Sequence, residues 1–230
     1  SFLRLGVRTV GLIALSLEPG RDGKSASIPS PVLRRKLRLA RRLSDLVVVS
    51  VHWGAELIDW PRPQEEEAAA WLVRNGADLV VGHHPHVSQE PRCVLGKPVF
   101  YSLGNHLFDQ KYPASKQGLI ADCRIEADTL RCAGLKTRTE PGGSFPALAG
   151  EDPGSRSSLA DCAPRLGRPL QVAGIELKPR DSGRRGGSGL VLEAGKEGKA
   201  LWRSRPATIL TLDVLASGGD VPQELLLAME

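Results

Sequence analysis

At 230 residues and 41% hydrophobic content the chain can bury one core with appendages, but aromatics make up only 4% of it, so that core must rest on Leu, Val, Ala and Ile. The net charge of +5, from 31 Lys and Arg against 26 Asp and Glu, gathers in Arg34-Arg35-Lys36, Arg38, Arg41-Arg42 and Arg184-Arg185; without interleaved aromatics these clusters exclude a single-strand nucleic-acid binder and read as solvated faces or as attraction to an anionic partner. Four cysteines with no Cys-x-x-Cys spacing exclude a zinc ribbon and a thioredoxin-type motif, and no apolar run is long enough to cross a membrane.

In chain order, the β-branched run over residues 8–15 predicts a buried strand. A turn-rich stretch follows over 18–31, then a helix over 32–43 with leucines at 33, 37, 39 and 43. Residues 46–51 (LVVVSV) can only be a buried strand, ending at His52. A second helix is expected over 64–75, with acidic residues in its first turn and Gly76 beyond its end, in agreement with helix polarity. Strands are expected over 77–81 and 99–103, and an antiparallel pair over 118–125 and 129–136. Cys123 and Cys132 flank the turn of that pair, where a disulfide and two buried thiols fit equally well. Residues 140–198 are rich in Gly, Pro, Ser and Arg and predict a long loop or disordered region. Strand character returns over 201–215, and 222–230 reads as a terminal helix. The chain opens Ser1-Phe2-Leu3 with no methionine, close to a strand, which reads as a cut edge. The alternation of strands and helices predicts an α/β fold with mixed pairing at the later edge of its sheet.

All five histidines fall between His52 and His106, three of them in Gly82-His83-His84-Pro85-His86. Imidazole binds divalent metals and moves protons near neutral pH. The run follows a short apolar strand, and open α/β sheets place ligands beyond the C-terminal ends of their strands. His52 and the His84-x-His86 pair should therefore lie within several ångströms of one another, the scale of a metal site.

The words His52-Trp-Gly-Ala-Glu56, Pro61, Gln64, Gly76-Ala-Asp-Leu-Val-Val-Gly-His-His-Pro-His-Val87, Gln89, Tyr101-Ser-Leu-Gly-Asn105 and Phe108-Asp109 occur in an order and spacing that resembles the CapA family, bacterial poly-γ-glutamate capsule-synthesis proteins with a calcineurin-like metallophosphoesterase fold. The resemblance covers residues 5–135 and the second half of that domain. It implies a partial metallophosphoesterase-like α/β sandwich with a mixed sheet over 1–139, followed by the irregular region 140–198 and a C-terminal strand and helix over 199–230. It further implies His52, His84 and His86 as metal ligands, His52 and Asn105 as catalytic residues, and a supporting or substrate-facing role for His83 and Glu56. Pairing His83 with His86 would separate the ligands by one residue more. His106 stands where the family has an aromatic and is expected at the surface.

The resemblance implies a two-metal hydrolase of capsule or surface-polymer synthesis, using Mn, Zn or Fe, at the cell surface or in the periplasm. The family's earlier aspartate and Asn-His words have no counterpart before Arg8. Three imidazoles bring no negative charge, and two dications held close together need bridging carboxylates. The expectation is a chain that binds metal weakly, is inactive by itself, and has as partners the N-terminal half of the domain and an anionic polymer or phosphate-like substrate. The alternative is a non-catalytic factor that holds a polyanion during surface-polymer assembly.

Overall fold

In the computed structural model the residues described are 2–5, 8–19, 25–106, 112–139, 146–149 and 155–167, with the backbone of strands at 175–179, 188–194, 200–206 and 208–214. The chain enters through β1 (Phe2–Leu5) and β2 (Arg8–Ser16). Helix α1 (Pro31–Leu43) starts where Ser30 accepts a hydrogen bond from Leu33 N–H and Pro31 supplies a preset φ. Its buried residues, Leu33, Leu37 and Ala40, recur at the spacing of one helical face. Strand β3 (Leu46–His52) leads to α2 (Pro63–Arg74), whose Glu65 carboxylate accepts from Arg62 N–H at 2.7 Å and so caps the first turn. Then come β4 (Leu79–His83), β5 (Ser88–Gln89), β6 (Arg92–Val94), β7 (Lys97–Phe100), β8 (Ser102–Leu103), the long hairpin β9 (Gln117–Glu126) and β10 (Thr129–Arg138), β11 (Ala147–Leu148), β12 (Arg156–Ser158), β13 (Ile175–Pro179), β14 (Ser188–Ala194), β15 (Ala200–Pro206) and β16 (Thr208–Val214).

The main sheet runs β13-β16-β1-β2-β3-β4-β7-β6. Its centre, β2 to β3 to β4 to β7, is parallel, while β6 and β1 join antiparallel. The fold is thus α/β with a mixed sheet, antiparallel at both edges and not the later one alone. The central strands are apolar throughout because both faces are covered. On one face Val47, Val49, Val51 and Val80 pack with Leu37, Ala69 and Leu72 of the helices. On the other, Val10, Leu46, Leu79 and Phe100 pack with Leu119, Leu130 and Cys132 of the hairpin. The layers are helices, sheet, hairpin sheet.

Two expectations shift. Strand β4 lies two residues later than 77–81, because Ala77 and Asp78 N–H donate to Leu72 O and Val47 O; Gly82 and His83 thereby become strand residues. The single strand over 99–103 breaks at Tyr101, whose carbonyl accepts from Trp53 Nε1 at 2.9 Å, and β8 turns away to pair with β5.

Within 140–198, read from composition as structure-poor, the structure places β11 and β12 against β10. Leu159 and Cys162 are buried in the hairpin-side core, and Cys162 is bridged to Cys93 of β6. A segment poor in apolar residues is tied down here by a covalent link and backbone hydrogen bonds such as Leu130 N–H to Pro164 O and Gly167 N–H to Asp45 O. Strand β13 pairs with β16 in the main sheet. Cys123 and Cys132, register partners on the hairpin, form the second disulfide. The expected helix over 222–230 and the motif residues Phe108 and Asp109 lie outside the described residues.

Candidate functional site

Parallel strands deliver their C-terminal ends to one edge of the sheet. Ser16 of β2 is the register partner of His52, and His52 of His83. Leu17 N–H donates to His52 O at 2.9 Å and Trp53 N–H to His83 O at 3.0 Å, which holds the three segments side by side past the strand ends. Beyond His83 the chain turns with His84 at φ 110° and His86 at φ 61°. Leu57, at φ 61°, donates its N–H to Pro85 O at 2.7 Å. Left-handed backbone at non-glycine residues is uncommon and strained, and here it collects in two loops bonded to each other. Such clusters mark functional sites.

Gly82 explains how the loop is seated. A Cβ at this position would run into Tyr101 O and the Trp53 indole nitrogen. Strand β4 and the Trp53–Tyr101 hydrogen bond can approach this closely only where no side chain stands between them. Trp53 and Tyr101, both about 1% exposed, form the floor under the histidine loop.

The structure brings His52, His84 and His86 together: ring centroids are 4.6 Å apart for His52 and His84 and 6.2 Å for His84 and His86. Asn105 is buried, and its Oδ1 lies 2.8 Å from His86 Nδ1. With the proton on Nδ1 donated to Asn105, the ring lone pair sits on Nε2, the arrangement of an oriented metal-ligating histidine. Asn105 Nδ2 is buried without a hydrogen-bond partner.

The imidazole of His52 is pushed below the ordinary range, first by burial and then by His84 and His86, against an opposing pull from Glu18. A neutral ring is the form that binds metal. His83 is lowered by its burial, with His52 and then His106 adding to the effect, so it lies between the cluster and His106. His106 is half-buried, 3.3 Å from Thr137 Oγ1, and lowered by burial. Its expected surface position is corrected: the hairpin covers it.

Lowered folded values give a definite sign. Below the ordinary value of 6.5 the unfolded chain takes up protons that buried His83 and His106 refuse. Their contribution to stability is present above 6.5 and lost as pH falls from there toward the folded values. The melting temperature is expected to drop between pH 7 and pH 5, and His106→Gln to flatten that slope. An unchanged slope in the variant would remove His106 from the account.

Of the other expected residues, Glu56 sits exposed on the turn before Leu57. Glu18 was missed by reading the sequence, although it lies two residues past the end of β2 and its charge acts on both His52 and Arg62. The signal was available in the strand-end rule that picked out His52, applied to the preceding strand. Among the described residues no group of three or more His, Cys, Asp or Glu side chains converges closely enough to hold an ion. By type, three imidazoles with one carboxylate nearby are donors that a nitrogen-preferring ion takes, but as placed they do not converge on one point, and they lack the bridging carboxylates of a two-metal centre.

Residues 16–110 match the family described as bacterial capsule synthesis protein. The chain is 40% identical over 119 residues to the capsule biosynthesis protein CapA of Bacillus anthracis, covering 50% of this chain and 28% of that protein. It is 36% identical over 87 residues to the PGA biosynthesis protein CapA of Bacillus subtilis, covering 38% and 23%. A probable polyglutamine synthesis accessory protein of Mycobacterium tuberculosis is 27% identical over 85 residues, covering 37% and 22%. The chain therefore spans about a quarter of the length of these relatives.

Proposed function

We propose, from the match of residues 16–110 to the bacterial capsule synthesis protein family, that the chain takes part in synthesis of a capsular polymer of poly-γ-glutamate type. Its histidine cluster, in this reading, is one metal position of a hydrolase centre. The observation that carries the reading is the meeting of His52, His84 and His86 at the C-terminal edge of parallel strands, with Asn105 orienting His86. His52, His84 and His86 would hold a divalent ion such as Mn, Zn or Fe. Such an ion, when bound, activates water and polarises a phosphoryl or acyl oxygen. Asn105 fixes the tautomer of His86, and the Trp53–Tyr101 floor keeps the loop in place. Two disulfides support a location at the cell surface or in the periplasm, where such bonds persist.

Isothermal titration with Mn²⁺ or Zn²⁺ tests the metal position. The chain is expected to bind weakly, and the His84→Ala, His86→Ala double variant not at all. Equal heats from both proteins would remove the metal reading. Hydrolysis of p-nitrophenyl phosphates by the 230-residue chain is expected to stay near background with Mn²⁺ added, since one incomplete site cannot hold both attacking and leaving oxygens. Turnover at ordinary enzyme rates, abolished by His52→Ala, would show that the site is complete as it stands.

A further inference from the structure

Helix α1 carries six cations in 13 residues and no acid. Arg41 is engaged, 2.7 Å from Asp78. Arg34, Arg35, Lys36 and Arg38 are exposed, and among the described residues no ion pair or hydrogen bond engages any of their side chains. Arg34 and Arg38 stand four residues apart and Arg35 and Arg38 three, so the three guanidinium groups share one face and repel one another. An ordinary solvated helix relieves such repulsion with acids at those spacings. This one does not.

The helix returns from the end of β2 to the start of β3, so its first turns lie toward the edge of the sheet that bears the histidines. There a groove of about 410 Å³ runs between α1 and β2, lined by Ser16, Ser25, Ser30 and Lys36 above an apolar floor of Ile13 and Leu15. Ser16 is the register partner of His52. Of the cations of α1, Lys36 lines this groove, whereas Arg34 and Arg38 stand nearly opposite it on the helix, at about 100° per residue.

We propose that the exposed face of α1 bearing Arg34, Arg35 and Arg38 is a binding track for a linear polycarboxylate. The occupant is a γ-linked glutamate chain. Guanidinium groups pair with carboxylates by two parallel hydrogen bonds. Each γ-linked residue carries one carboxylate on a flexible backbone of five bonds, so the polymer can turn its carboxylates toward guanidinium groups three and four residues apart on one helix face. The proposal rests on the polymer reading above and is independent of the metal reading.

The test is fluorescence anisotropy of labelled poly-γ-glutamate with the whole 230-residue chain at low salt. The Arg34→Gln, Arg35→Gln, Arg38→Gln variant keeps helix propensity and is checked by circular dichroism and thermal melting. A control with the same loss of charge, Arg124→Gln, Arg131→Gln, Arg138→Gln, alters exposed positions on the hairpin. The α1 variant is expected to bind at least tenfold more weakly and the control within twofold of the parent. Binding by the parent that the α1 variant retains would overturn the site and leave the polymer reading standing. No binding by the parent would bring down both. Tighter binding of RNA or of anionic vesicles through the same three arginines would overturn the occupant.

Discussion

Gly82→Ala is expected to destabilise the chain by about 3 kcal/mol or more, beyond the usual range for a single added methyl group, because the obstacle is backbone. The new Cβ would meet Tyr101 O and the Trp53 indole nitrogen, and neither can step aside without breaking the hydrogen bond between them. At roughly 2–4 °C per kcal/mol for a chain of this size, the melting temperature should fall by about 10 °C. Urea titration followed by tryptophan fluorescence measures it. Gly96→Ala is the matched comparison: it lies in open space at φ +77°, and only backbone strain of about 1 kcal/mol opposes it. Equal losses from the two variants would mean that close approach at Gly82 is not what the position requires. The consequence reaches function, since a displaced β4 carries His83 and the loop of His84 and His86 with it.

Asp78→Ala is expected to cost about 3 kcal/mol at the opposite end of the same strands. The carboxylate is about 2% exposed, accepts from Lys97 Nζ at 2.8 Å, Arg41 Nη1 at 2.7 Å and Val47 N–H at 3.0 Å, and so joins α1, β3, β4 and β7. Its loss leaves the Val47 N–H buried without a partner, about 1–3 kcal/mol. The two cations, partly exposed, recover some hydration, which keeps the total below that of a fully buried pair. Asp78→Asn, which retains an acceptor for Val47, should fall between the parent and Asp78→Ala. A denaturation midpoint for Asp78→Ala equal to the parent's would show the contacts to be replaceable by water.

Both positions bear on how much of this protein is legible in its residues. Local pattern is enough for the central strands: LVVV at 46–49 admits no other element, and Leu33, Leu37 and Ala40 mark one helical face. Strand-end placement of His52 and clustering of histidines near it follow from the same reasoning, because the C-terminal edge of a parallel sheet is where side chains are free to converge. The Trp-Gly and Ser-Leu-Gly-Asn words carry the resemblance to the capsule-synthesis family without any coordinates.

Other features depend on distance across the fold and leave no local trace. Nothing adjacent to Cys93 points to Cys162, 69 residues away, and composition alone reads 140–198 as structure-poor, although part of it is tied to β6 by that bridge and pairs with the hairpin through β12. His83 and His84 are neighbours in sequence, yet it is the His84 ring, past the turn at φ 110°, that stands against the rings of His52 and His86. His106 lies under a hairpin folded from residues that follow it, and Glu18 meets His52 through the pairing of β2 with β3. Periodicity reports which side chains share a face of one element, because that depends on backbone geometry a few residues long. Which faces then meet is settled by the burial of whole layers and by links closed across them, and the chemistry of the site depends on those meetings.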